Sequence, residues 1–256
     1  MRHLLNSIVP GDCFDILPDI ADKSINMVLC DLPYGVTACK WDQELDLDRL
    51  WPEYDRILAP KGVVVLTAIQ PFETKLINSK RKWFRYKVVW KKSRAVGFLN
   101  AKKMPLRIHE DVLVFAKRQP KYNPQFSPGK PYVSKRAATA RPGVYRNLKP
   151  SQTVNTGVRY PQDVVEFSNT CEKVLHSTQK PVALFEYFIR TYTDEGDVVL
   201  DNTSGSGTTA IAAMNAGRQF ICIEKNLANY RVSVDRLNNH KVQCQSTITS
   251  AAVPAG

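Results

Sequence analysis

Three short apolar runs in this chain each stop at an acid, and that punctuation limits the fold more than any other feature. Ile25, Met27, Val28, Leu29 and Cys30 lead to Asp31; Val198, Val199 and Leu200 lead to Asp201; Phe220 to Ile223 lead to Glu224. Apolar residues at consecutive positions fit a strand buried on both faces, whereas a half-exposed strand would alternate. Gly62 to Ala68 (GVVVLTA) is a further run of this kind, and Phe84 to Lys91 and Asp111 to Ala116 also read as strands. Helical spacing lies between them. It predicts helices from about Leu45 to Leu58, stopped by Pro60 and Gly62, and from Pro71 to Ser79. Behind Pro181, the residues Phe185, Phe188, Ile189 and Tyr192 follow the spacing of a core-facing helix. Gly207 to Ala216 is a small-residue helix ending at Gly217, and Leu227, Tyr230, Val234 and Leu237 line a last one. Strands alternating with helices imply an α/β fold with a doubly wound, mainly parallel sheet. Ligands of such sheets sit beyond the carboxyl ends of the strands, so Asp31, Asp201 and Glu224 are expected to converge on one crevice.

The charge is segregated. Of a net +12, the stretch from Thr74 to Gln162 holds 22 Lys and Arg against two acids, Glu110 and Asp111, which is +20; the remainder holds 14 against 22, which is −8. Such a division points to a polyanionic partner. From Gln119 to Pro161 there are seven prolines, little periodicity and no acid. Tyr122, Phe126, Tyr132, Tyr145 and Tyr160 make this too aromatic for a linker, and it reads as a basic, irregular insertion. The six cysteines, Cys13, Cys30, Cys39, Cys171, Cys222 and Cys244, show no CxxC pair and no zinc spacing. They are expected to be buried, reduced and structural, with no metal. His109-Glu110 lacks the second histidine of a zinc-protease helix and reads as structural. No apolar run is long enough to span a membrane and the N-terminus does not resemble a secretory signal, so a cytoplasmic protein is expected.

Two segments carry chemistry. Val199-Leu200-Asp201-Asn202-Thr203-Ser204-Gly205-Ser206-Gly207-Thr208-Thr209 is a strand, a glycine-bearing loop and a helix start. The glycines admit a ligand close to the backbone, and the helix start offers free N–H donors. Glu224, 17 residues after Gly207, stands where an acid can hold both hydroxyls of a ribose. This part alone does not choose between adenosine-type cofactors, because Gly205-x-Gly207-x-x-Ala210 also fits a dinucleotide pattern. The tetrapeptide Asp31-Leu32-Pro33-Tyr34, followed by Gly35, separates the alternatives. An exocyclic amine on a base is a poor nucleophile, since its lone pair is delocalised into the ring. A carboxylate accepting one N–H and a backbone carbonyl accepting the other would draw the nitrogen toward tetrahedral geometry. Pro33 stiffens the turn that presents these acceptors, and Tyr34 offers a face for an extruded base.

With these residues the chain resembles the amino-methylating DNA methyltransferases, whose catalytic motif is Asp/Asn/Ser-Pro-Pro-Tyr or a near variant such as Asp-Leu-Pro-Tyr. His176-Ser177-Thr178-Gln179-Lys180-Pro181 is similar to the cofactor-proximal motif of their circularly permuted beta group, and Gly11-Asp12 to its adenine-contacting segment. The order also agrees: catalytic tetrapeptide, recognition insertion, cofactor half. The likeness covers about residues 8 to 240. Leu32 stands where proline is commonest, and Thr203 where the family often has phenylalanine.

The resemblance implies a Rossmann-like methyltransferase core acting on double-stranded DNA with S-adenosylmethionine and base flipping, as in restriction–modification enzymes. Asp31, Leu32, Pro33 and Tyr34 would handle the target amine. Asp201, Ser204, Gly205, Gly207 and Thr208 would line the methionine end of the cofactor, Glu224 its ribose and Asp12 its adenine. His176, Thr178 and Lys180 would hold its carboxylate. Lys91, Lys92, Arg94, Lys102, Lys103, Arg136, Arg141 and Arg146 are the candidates for contacting DNA. The expected division is a catalytic half over 1–116, a target-recognition insertion over 117–170, a cofactor half over 171–242 and a flexible tail over 243–256. Asp at the head of the tetrapeptide leans toward N6 of adenine; N4 of cytosine is the alternative, and a Rossmann-type oxidoreductase or an inert DNA-binding protein is more distant. The sequence is compatible with a homodimer and names no restriction partner.

Overall fold

The strand leading to Asp31 is sealed on both sides, as the apolar run from Met27 to Cys30 requires. In a computed structural model, which describes residues 1–35, 43–136, 149–170 and 179–251, Ile25, Met27, Val28, Leu29 and Cys30 are all fully buried. The elements preceding the insertion are β1 (Ser7–Pro10), α1 (Cys13–Ile16), β2 (Ile25–Cys30), α2 (Leu47–Ile57), β3 (Leu58–Ala68), α3 (Phe72–Ser79), β4 (Phe84–Val96) and β5 (Arg107–Phe115). Within the insertion lie β6 (Ser127–Pro128), β7 (Tyr132–Arg136), β8 (Ser151–Asn155) and β9 (Val158–Arg159). Then come β10 (Val164–Phe167), α4 (Val182–Tyr192), β11 (Val198–Asp201), α5 (Thr208–Asn215), β12 (Gln219–Glu224) and α6 (Leu227–Ala251).

The large unit, residues 1–123 with 163 onward, is built on an eight-stranded sheet of order β1-β12-β11-β2-β3-β5-β4-β10. Only β5 runs antiparallel to its neighbours. The three acid-ended strands β12, β11 and β2 are therefore adjacent and parallel, and their acids share one edge. Side-chain alternation divides the core between the two faces. Val28 and Cys30 pack with Leu50, Trp51, Tyr54 and Phe72 of α2 and α3. Met27 and Leu29 pack with Leu184, Phe185, Phe188 and Ala210 of α4 and α5. Each large apolar side chain so buried contributes roughly 1.5–3 kcal/mol. Among the described residues, no helix is long and apolar enough to cross a membrane.

Several boundaries differ from the sequence reading. Helix α2 passes directly into β3, so Pro60 and Gly62 lie inside a strand. The pairing explains why this is tolerated: Leu58 faces Ile25 and Val63 faces Met27, so the residues between them bulge out of the ladder. A proline there forfeits no ladder bond. Strands β1 and β10 were not foreseen. Helix α6 continues to Ala251, through most of the expected tail over 243–256, and Cys244 on it is exposed, against the expectation that the cysteines are buried.

The second unit is Pro124–Gln162. Expected to be irregular, it contains two small antiparallel ladders, β6 with β9 and β7 with β8. Strand β7 is exposed along its whole length, so backbone pairing and a few side chains do the work of a core. The Arg159 guanidinium lies 4.9 Å from the Tyr132 ring centre and donates to the Asn155 side chain. The Phe126 and Tyr160 rings meet edge-on at 4.8 Å.

Candidate active site

Asp31 follows the last residue of β2 and is surrounded by donors. Its Oδ1 lies 2.7 Å from the Tyr34 hydroxyl and also accepts from Thr67 Oγ1. The two hydroxyls are themselves 3.0 Å apart, which closes a triangle. Its Oδ2 accepts from the Lys180 ammonium at 2.6 Å. Thr67 reaches the site because Leu66 of β3 pairs with Cys30, which puts the carboxyl ends of β2 and β3 side by side. The Tyr34 ring leans on Phe72, with centres 5.4 Å apart, and burial pushes its hydroxyl pKa well up, helped by the nearby Asp31. Leu32 is buried in the core.

Behind Asp31 the charges alternate. Lys180 Nζ lies 3.4 Å from Glu110 Oε2, and the other Glu110 oxygen is paired with Lys92. Burial opposes the charge on Lys180, but Asp31 and Glu110 outweigh it and raise its pKa. Burial likewise opposes ionised Glu110, yet Lys180 and Lys92 hold its carboxyl below the usual range. Two expectations change here. Lys92 does not face solvent as a phosphate contact would; it is buried against Glu110, with its ammonium 5.0 Å from the Trp90 ring. Lys180, expected on a cofactor carboxylate, has its ammonium on Asp31 and Glu110.

The glycine loop lies one strand over. Asp201 is buried, and its carboxylate accepts from Thr203 N at 3.0 Å and from Thr209 Oγ1. It thus ties the strand end to the start of α5, and burial pushes its pKa up to about 7. Gly205 and Gly207 have φ of +53° and +79°, a region that disfavours other residues. A Cβ on Gly205 would meet nothing within 4 Å, whereas one on Gly207 would come 3.0 Å from Ser233 Cβ. Gly205 borders open space; a side chain at Gly207 would be strained by its φ and crowded against Ser233. Glu224 accepts from Gly205 N and from Asn226 N, both at 2.7 Å, and burial raises its pKa. Thr208 Oγ1 donates to the Lys180 carbonyl at 3.3 Å. Asp12 caps α1 by accepting from Phe14 N at 2.9 Å and pairs with Lys225 at 2.8 Å; that lysine lowers its pKa. Since Pro10 pairs with Glu224, Asp12 stands at the same edge as Glu224.

The loop is also fastened to the catalytic turn. Thr203 Oγ1 donates to the Asp31 carbonyl at 3.2 Å. Asn202 Oδ1 accepts from Tyr54 at 2.6 Å and from the Cys30 thiol at 3.0 Å. Sequence reasoning passed over Thr67, Tyr54 and Asn202 and treated Glu110 as structural. Only Thr67 left a trace, as a hydroxyl inside an otherwise apolar strand.

Of the remaining candidates, Lys91 is exposed and paired with Glu166 at 2.7 Å. Arg94, Lys102 and Lys103 are exposed where β4 turns into β5, and Arg136 is exposed in the second unit. Arg141, Arg146, His176 and Thr178 lie outside the described residues.

Comparisons with known proteins bear on the family and the fold. The N6/N4 family described as DNA methylase matches residues 25–235. The chain is 28% identical over 250 residues to the DNA adenine methyltransferase YhdJ of Escherichia coli (strain K12), covering 91% of this chain and 82% of that protein. It is 29% identical over 248 residues to the type II methyltransferase M1.MboII of Moraxella bovis, covering 87% and 92%. Among solved structures, the M1.HpyAVI–SAM complex superposes with a TM-score of 0.62 at 23% identity, over 91% of this chain and 98% of that one. The cytosine-N4-specific PvuII DNA methyltransferase gives 0.64 at 17% identity, over 89% and 84%. These last two likenesses are of fold.

Proposed function

This chain belongs to the N6/N4 DNA methylase family, and on that premise we propose that it transfers the methyl group of S-adenosylmethionine to N6 of adenine in duplex DNA. The observation that carries the reading is the hydrogen-bond account at Asp31. A carboxylate accepts about four hydrogen bonds, and Tyr34, Thr67 and Lys180 supply three. The position left over is on Oδ2, next to Lys180, and it suits one N–H of a target amine. A backbone carbonyl at Leu32 or Pro33 would accept the other. With both protons held, the nitrogen lone pair would point away from Asp31, toward the cofactor methyl. Tyr34 presents its ring to the extruded base, whose unstacking costs a few kcal/mol. Rate acceleration then rests on orientation and on acceptors already aimed at a developing ammonium.

The loop residues fit the proposed cofactor. Gly205 leaves room for it, and Ser204 Oγ and Asn202 Nδ2 are buried polar atoms with no hydrogen-bond partner. S-adenosylmethionine supplies an electrophilic methyl on a sulfonium centre. Ser204 and Gly205 would hold its methionine end, Glu224 its ribose and Asp12 its adenine. Asp201, Gly207 and Thr208 act by keeping the loop in shape. Target selection is assigned to residues 117–170, on their charge and aromatic content.

The acid at position 31 and the likeness to an adenine methyltransferase favour adenine; the fold shared with a cytosine-N4 enzyme keeps cytosine N4 as the second reading. Incubating duplex DNA with the enzyme and methyl-labelled S-adenosylmethionine, then digesting to nucleosides, distinguishes them. N6-methyladenine is expected. Label found only in N4-methylcytosine would overturn the choice of base, and no label in any nucleoside would overturn the activity.

A further inference from the structure

The pocket holds more buried charge than one acceptor of an amine needs. Asp31, Lys180, Glu110 and Lys92 form a file of alternating sign, with side-chain exposures of 25%, 8%, 10% and 7%. They come from four places: the end of β2, the segment before α4, β5 and β4. Replacing such a file by apolar residues of like volume is often neutral or stabilising, so its presence is poorly explained by stability.

The details are lopsided. Lys180 is within hydrogen-bond distance of Asp31 but stands 3.4 Å from Glu110 Oε2, and that oxygen is buried without a hydrogen-bond partner. Glu110 therefore acts on Lys180 chiefly through charge. A lysine paired with Asp31 alone would neutralise the carboxylate that has to attract the amine. With Glu110 on its far side, that lysine is shared between two anions, and Lys92 balances the second of them.

We propose that Lys180 and Glu110 are opposed positioning residues: Lys180 fixes the orientation of Asp31, and Glu110 restrains how strongly that lysine neutralises it. The proposal rests on Asp31 being the acceptor of the target amine. Among the described residues, the titratable groups around Asp31 are Tyr34 on its own turn, Lys180 ahead of α4, Glu110 on β5 and Asp201 at the end of β11. Those facing Glu110 are Lys92, Lys180 and Tyr34.

The two roles predict opposite displacements of one observable, the acid limb of kcat against pH. Lys180→Met removes a cation beside the carboxylate and should move that limb to higher pH. Glu110→Gln removes an anion and should move it to lower pH, with kcat falling on the plateau because the acceptor is weaker. Each displacement should be about one pH unit, a tenfold change in proton affinity. The double variant Lys180→Met/Glu110→Gln, in which the two charges leave together, should return toward the wild-type limb. S-adenosylmethionine binding measured by calorimetry should change less than twofold in Glu110→Gln, which places the effect on the acceptor side. Should one single variant fail to fold, the other still carries the test, since its limb must move in the stated direction and return in the double variant. Displacements of the single variants in the same direction, or none in a folded single variant, would overturn the proposal. Asp31→Ala separates the two levels: if it kept its activity, the reading of the site itself would fall.

Discussion

Replacing Asp31 by alanine removes one acceptor and strands three donors. Tyr34, Thr67 and Lys180 all direct a proton at it, and Lys180 would be left with Glu110 at 3.4 Å as its remaining anion. A hydrogen bond to a charged group is worth roughly 1.5–3 kcal/mol. Losing the one made to the amine should therefore slow transfer by about 10- to 150-fold, at roughly 1.4 kcal/mol per tenfold. Breaking a buried ion pair costs about 3–5 kcal/mol of stability, so Asp31→Ala should also melt at lower temperature. Asp31→Asn is the informative contrast. Its amide oxygen can face Lys180 and the amine while its NH2 faces Tyr34 and Thr67, whose hydroxyls can turn to accept. All contacts survive without the charge, and a charged bond is about twice as strong as a neutral one. The loss should then be about 3- to 12-fold, at or below the bottom of the alanine range. Single-turnover transfer of labelled methyl to a duplex oligonucleotide, with enzyme in excess, measures this directly. Asp31→Ala within threefold of wild type, or Asp31→Asn no faster than Asp31→Ala, would refute the reasoning.

Asp201 makes the pH dependence of stability testable. Its folded pKa is raised from 3.8 to about 7 by burial, so the folded state binds the proton more tightly than the unfolded chain. Its contribution is present below about pH 4 and lost as pH rises toward 7. Asp201→Asn should remove that loss, and its melting temperature should gain on wild type between pH 5 and pH 8; a pH-independent difference would contradict this. Among the described residues, Tyr54→Phe leaves the buried Asn202 Oδ1 with the Cys30 thiol as its one donor, and it should cost about 1–3 kcal/mol in urea unfolding with an unchanged m-value. In the second unit, exposed Arg136 and inward-bonded Arg159 should behave differently. Arg136→Ala should flatten the slope of log affinity against log salt by about 1, whereas Arg159→Ala should unsettle the unit and weaken site preference as well. Equal effects of the two on the slope would remove the distinction.

The strands that bear the site were legible because they are buried on both faces, which leaves unbroken apolar runs at β2, β11 and β12. Edge strand β1 was not: it is four residues long with Ile8 alone buried, too little for any periodicity. The ladders of the second unit were hidden for a related reason, since exposed strands held by backbone pairing impose no pattern on side chains. Asp31, Asp201 and Glu224 could be picked out by ending their strands. Thr67, Glu110 and Tyr54 could not, because their partners depend on register between segments far apart in sequence. Lys92 shows how a charge count misleads: composition does not separate a cation facing solvent from one enclosed beside a carboxylate.

The bonds from Asn202 and Thr203 to Cys30, Tyr54 and the Asp31 carbonyl have a bearing on how this sequence can vary. Thr203 occupies a position where the family often carries phenylalanine, and a phenylalanine cannot donate to a carbonyl. Nor could an apolar residue at 202 accept from a buried tyrosine. Positions 30, 54, 202 and 203 are thus expected to drift as a set. In a library randomised at all four and selected for protection of its own DNA, survivors should fall into two groups: those that keep the polar combination, and those that exchange it wholesale for an apolar packing with phenylalanine at position 54. Mixed combinations should be rare, because each leaves one buried polar group without its partner.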